Sequence, residues 1–149
     1  MADTRKPLDV LQELITVCRD GENGYVHAAK NVKDPSLQTF FRDQSLERAL
    51  FAQELEQEVQ RLGKLPSETS GSIAGALHRA WFDIKGDLGG SDHTILESVE
   101  QGEDSAKKSY EEALNSSLPE EVLMVVRRQY DSVKVAHDRS RDWRDSKAA

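Results

Sequence analysis

Apolar residues recur at steps of three and four along four separate stretches of this 149-residue chain, and that period limits the fold more than any other feature. The first stretch predicts a helix from about Pro7 to Lys33, with Leu11, Ile15, Cys18, Tyr25, Ala29 and Val32 on one face. Asp34-Pro35 stops it and starts another at once. Asp34 can cap a helix, and Pro35 suits the first position, where a missing N–H costs nothing. The second helix, 35–62, carries Leu37, Phe40, Phe41, Phe51, Leu55, Val59 and Leu62 and ends at Gly63. A third, 91–115, carries Leu96, Val99, Ala106, Tyr110 and Ala113. Ser117-Leu-Pro-Glu120 has the form of a capping box with proline in the first turn. It predicts a fourth helix over 118–143, on Val122, Val126, Val133 and Ala136, and the polar tail after Trp143 is expected to fray.

Between Gly63 and Gly90 the pattern changes. Residues 64–72 have no apolar period; Ile73, Leu77, Trp81, Ile84 and Leu88 then space a shorter helix over 72–86, interrupted by Gly86, Gly89 and Gly90. The first and second long helices share a tight turn, as do the third and fourth, so each pair forms an antiparallel hairpin. The middle connection is far longer. A helix of about 27 residues spans roughly 40 Å, and this connection can travel back along it. The expected fold is all-α: a single domain over 1–149, a ferritin-like four-helix bundle of two hairpins joined by a long crossover that contains a short helix. An internal echo supports two similar halves: Gly21-Glu22 and Gly102-Glu103 each precede their turn, and Leu37 follows Glu22 at the interval by which Leu118 follows Glu103.

Composition removes several classes of function. The formal charge of −7 comes with no basic cluster, which argues against a nucleic-acid partner. No window reaches the roughly 20 apolar residues that a membrane span needs. Nothing resembles a signal peptide, so a cytoplasmic location is expected. Cys18 is the only cysteine, which rules out an intramolecular disulfide or a CxxC site, and its place on the apolar stripe gives it no redox role. There is no Ser/His/Asp nucleophile pattern and no phosphate-binding loop, so an enzymatic role is not expected from any familiar motif.

Polar residues interrupt every apolar stripe near mid-length. Glu22 fills the gap between Cys18 and Tyr25, Gln44 and Glu47 fall between Phe40 and Phe51, Glu103 lies between Val99 and Ala106, and Gln129 between Val126 and Val133. Counted from the two turns they lie at one height, so Glu22, Glu47 and Glu103 are expected to converge. Buried carboxylates need cations, protons or arginines. One reading is a metal site for iron or manganese, since di-iron bundles use Glu from two helices and Glu-x-x-His from the other two. Leu50, Gln129 and Ser132 depart from that pattern. The other reading is a hydrogen-bonded core network in which the carboxylates pair with Arg48, Arg128, Tyr25, Tyr110 or Tyr130. Gln44, Gln129 and His137 are further candidates for the surroundings of the site. Glu97, Glu100, Asp104 and Glu112 read as a solvated face, His27 and His93 as exposed. Trp81, within His78-Arg-Ala-Trp81, is expected to dock the short helix on the bundle, and Arg79 could pair with a core carboxylate.

Asp20-Gly-Glu-Asn-Gly-Tyr25 followed by Ala28-Ala29, Arg48-Ala-Leu-Phe-Ala52, His78-Arg-Ala-Trp81, Gly102-Glu103 and Tyr110-Glu-Glu-Ala-Leu114 resemble a bacterial ferritin-like domain family of unknown function. The resemblance spans about Leu8 to Trp143. It implies the bundle with a crossover helix, a bacterial origin and no established activity. Metal binding known in the wider superfamily carries over only to Glu22, Glu47 and Glu103, and some relatives are stress-associated. Two functions follow: a non-catalytic bundle acting as a stress-associated or interaction protein with no cofactor, or a carboxylate-ligated iron or manganese protein, an oxidoreductase or metal store. A homodimer through Leu14, Leu46 and Leu50 is compatible with either.

Overall fold

The computed structural model describes residues 6–63, Trp81 and 90–147. Among them are four long helices: α1 (Pro7–Asn31), α2 (Pro35–Arg61), α3 (Asp92–Leu114) and α4 (Glu120–Ser146). The short helix expected over 72–86, with His78 and Arg79, lies outside the described residues except for Trp81.

Each boundary has a local cause. Pro7 opens α1, and the chain turns extended at Val32, whose N–H still reaches the Ala28 carbonyl. Asp34 caps α2 by accepting from the N–H groups of Ser36 (2.8 Å) and Leu37 (3.4 Å), with Pro35 in the first turn. Past the end of α2, Gly63 takes the left-handed conformation at φ +77°, which an L side chain would strain. Ser91 caps α3 through the Thr94 N–H. At α4 the expected capping box does not form. Pro119 holds extended backbone and disfavours helical backbone at Leu118, so the helix begins only at Glu120 and no side chain caps it.

Contacts at the α1–α2 turn fix the helix directions. The N–H groups of Lys33 and Asp34 both donate to the Asp92 carboxylate, at 2.8 and 3.0 Å, and Lys147 Nζ meets Asp34 at 2.5 Å. One end of the bundle therefore gathers the C-terminus of α1, the N-termini of α2 and α3, and the C-terminus of α4. Thus α2 and α3 run in the same sense. The packing pairs are α1 with α2, α3 with α4, α1 with α3 and α2 with α4. The last turn of α4 does not fray: Trp143 stacks on Phe40 at 6.5 Å and Arg144 pairs with Glu100, which carry the helix past Trp143 to Ser146.

Two apolar clusters fill the core. One lies towards the far end, on Val10, Leu11, Leu14, Cys18, Leu55, Val59, Tyr110, Val126 and Val133 among others. The second lies near the α1–α2 turn, on Tyr25, Ala28, Leu37, Phe41, Trp81, Ile95, Leu96 and Val99. Leu14 belongs to this interior, since both α2 and α3 cover α1. Leu46 and Leu50, 65% and 59% exposed, stand on the outer face of α2 as expected of a surface position.

Candidate functional site

Between the two clusters lies a layer of polar side chains. Arg48 of α2 is fully buried, and its Nη2 donates to Glu103 Oε2 of α3 at 2.6 Å, with Glu103 also fully buried. Burial alone would pull the guanidinium down, but the Glu103 carboxylate beside it pushes it well up, so Arg48 stays charged. Its guanidinium lies over the Tyr25 ring at 5.6 Å. Gly21 makes room for it, since a Cβ there would stand 3.1 Å from Nη1.

A second strand of the layer crosses all four helices. Tyr110 donates to Gln129 Oε1 at 2.7 Å, so its single proton is spent there and Cys18, 3.1 Å away, donates its thiol hydrogen to the Tyr110 oxygen. Gln129 Nε2 donates to the Phe51 carbonyl (3.3 Å) and to Glu54 (3.0 Å), and Arg128 closes the chain on Glu54 at 2.6 Å. Burial pushes the Cys18 thiol up to about 11, against the opposing pull of its bond to Tyr110. Burial likewise raises the hydroxyls of Tyr25 and Tyr110 well above the ordinary tyrosine range.

The structure does not bring the three expected carboxylates together. Only Glu103 is interior. Glu22 is partly exposed and pairs with Arg19 at 3.0 Å, while Arg19 also holds Glu56. Glu47 lines a groove of about 260 Å³ between α2 and α4 with Gln44, Asp131, Ser132 and Arg139. No group of three His, Cys, Asp or Glu that could hold a metal occurs among the described residues. The donor set does not fit a di-iron or manganese centre, because the one fully buried carboxylate among the described residues, Glu103, already holds a guanidinium.

The physical reason is rotation about the helix axes. One residue turns a helix by about 100°. On the interval that relates Gly21-Glu22 to Gly102-Glu103, Arg48 rather than Glu47 answers to Gln129, and both are fully buried. Glu47 stands one residue before that interior position, which swings its carboxylate to the flank. In α1, buried Gly21 takes the interior place beside Arg48, and Glu22 falls on the rim.

The remaining candidates divide. Tyr25, Tyr110, Gln129 and Arg48 are in the layer; Gln44 is buried at its edge. Tyr130 lies nearer the surface and donates to Glu111 at 2.8 Å. His137, partly buried, lies between Asp104 (2.7 Å) and Asp138 (3.1 Å) and takes no part in the core. His93 faces Glu97, and His27 is partly covered. Ser140, fully buried on α4 beside Tyr25, was not expected. Its place one turn beyond Ala136 on the apolar stripe is the only signal for it.

Trp81 enters from outside the four helices. Its indole lies across Gly24 of α1 and Gly102 of α3, where a Cβ on either glycine would overlap the ring, and it meets Tyr25 at 5.3 Å. Those two glycines are a slot for one indole.

These features define, among the described residues, an all-α helical bundle with a polar layer at mid-length, fully buried at Arg48, Glu103, Tyr110 and Gln129. The chain belongs to the family described as Domain of unknown function (DUF2383), which matches residues 6–116. No curated protein matches the chain.

Proposed function

We propose that this is a ferritin-like bundle that works without a metal centre, as a non-catalytic interaction protein of the bacterial cytoplasm. The one-crossover topology of that fold is supported by α2 and α3 starting at the same end, both beside Asp92. The observation that carries the functional reading is Arg48. A guanidinium paired at 2.6 Å with Glu103, the one fully buried carboxylate among the described residues, supplies in protein form the positive charge that a metal would bring. The stress association rests on the sequence resemblance alone.

Elemental analysis of protein purified from cells grown with added iron and manganese tests this. Less than a tenth of an equivalent of metal per chain is expected. Stoichiometric iron or manganese, lost in Glu22→Ala or Glu103→Ala, would establish the carboxylate-ligated metal protein instead.

A further inference from the structure

The polar layer has more hydrogen-bonding groups than its direct bonds use. Arg48 Nε and Nη1, Glu103 Oε1, Tyr25 Oη and Ser140 Oγ are all buried and all lack a protein partner. They belong to residues that are fully buried. Arg48 and Glu103 touch, the guanidinium covers the Tyr25 ring, and the Tyr25 hydroxyl lies beside both Ser140 and Glu103 without the geometry of a full hydrogen bond to either. Leaving such groups unpaired costs roughly 1–3 kcal/mol each, which a marginally stable domain cannot sustain five times over.

The chemistry of the missing partner follows from these groups. It must accept from Arg48, and either accept from or donate to the two hydroxyls, and donate to the Glu103 carboxylate. A metal cation cannot accept a hydrogen bond and would sit beside the guanidinium. An anion cannot donate and would sit beside the carboxylate. The guanidinium and carboxylate charges cancel, so no ion is drawn in. An apolar ligand would leave every group unsatisfied. We propose that the centre of the bundle is a binding site for water, held between Arg48, Glu103, Tyr25 and Ser140. At about three hydrogen bonds per buried water, these five atoms call for about two molecules.

The site explains why the residues are mixed donors and acceptors rather than a ligand set of one kind. It also explains why the Tyr25 and Ser140 hydroxyls point inward without a well-formed hydrogen bond to protein.

Oxygen-17 relaxation dispersion on the full-length, metal-free protein tests the proposal. The expected result is an amplitude equal to about two long-lived waters. It should fall by half or more in Tyr25→Phe/Ser140→Ala, which removes two of the anchoring hydroxyls. No dispersion in the wild type would overturn it, and so would an amplitude unchanged in a folded double variant. If that variant does not fold, water-to-protein cross-relaxation at the Arg48 Nε–H and Ser140 of the wild type decides: contact supports the site and none refutes it. The inference rests on the metal-free reading. Stoichiometric metal sinks that reading, whereas a dry core in demonstrably metal-free protein sinks only this one.

Discussion

Arg48 and Glu103 illustrate how unequal the two ways of removing a buried ion pair are. Deleting one partner strands the other charge in a low-dielectric interior, at a cost of about 3–5 kcal/mol. Replacing both with apolar groups of similar volume is close to neutral. Arg48→Met is therefore expected to lower the urea midpoint sharply, and Arg48→Met/Glu103→Leu to recover most of the loss at an unchanged m-value. Failure of the double variant to recover would mean that the two groups act independently. Cys18 gives a pH signature. Burial raises its folded pKa to about 11, above the 9.0 of a free thiol, so its stabilising effect is complete below pH 9 and is lost as pH rises through 11. A Cys18→Ala variant should show a shallower decline between those values in unfolding measured against pH. The same burial predicts that native Cys18 resists thiol reagents and reacts fully in urea.

Helix ends and helix contacts carry the next set of consequences. Asp34 serves α2 as its cap and α4 as the partner of Lys147. Its carboxyl is held below the usual range, chiefly by Lys147, so this contribution is present above pH 4 and lost as pH falls through the lower folded value. The Lys147 ammonium is raised by Asp34, so its contribution is present below about 10.5 and lost at higher pH. Asp34→Asn keeps an acceptor for the cap but drops the ion pair, so thermal unfolding should rank it between wild type and Asp34→Ala. The glycine slot makes a sharper prediction. In an open helix Gly→Ala gains about 1 kcal/mol. At Gly24 or Gly102 the added methyl meets the Trp81 indole, and overpacking costs about 1–3 kcal/mol. Gly24→Ala in a Trp143→Phe background should therefore lose stability and shift tryptophan emission to the red. An unshifted, more stable variant would show that Trp81 does not occupy the slot.

For the molecule as a whole, the outer face of α2 remains to be accounted for. Leu46 and Leu50 lie a turn apart and are more than half exposed, and a second copy laid antiparallel about a two-fold axis would set Leu46 against Leu50. We expect a homodimer by light scattering that Leu46→Glu/Leu50→Glu converts to a monomer; a monomer at high wild-type concentration would exclude this face. Among the described residues no helix is long and apolar enough to cross a membrane. The helical pattern was legible in the sequence because local chemistry writes it: apolar residues every three or four positions, Asp34-Pro35 at one turn, Gly63 at a C-terminus. So was the presence of polar residues at mid-height in every stripe. What only the tertiary structure decided is which of them face inward. The azimuth of a side chain depends on how each helix rolls against its neighbours, and a single residue changes it by about 100°. That roll turned Glu47 to a flank and Glu22 to the rim, brought Arg48 onto Glu103, and pressed an indole between two glycines whose role no local pattern announces.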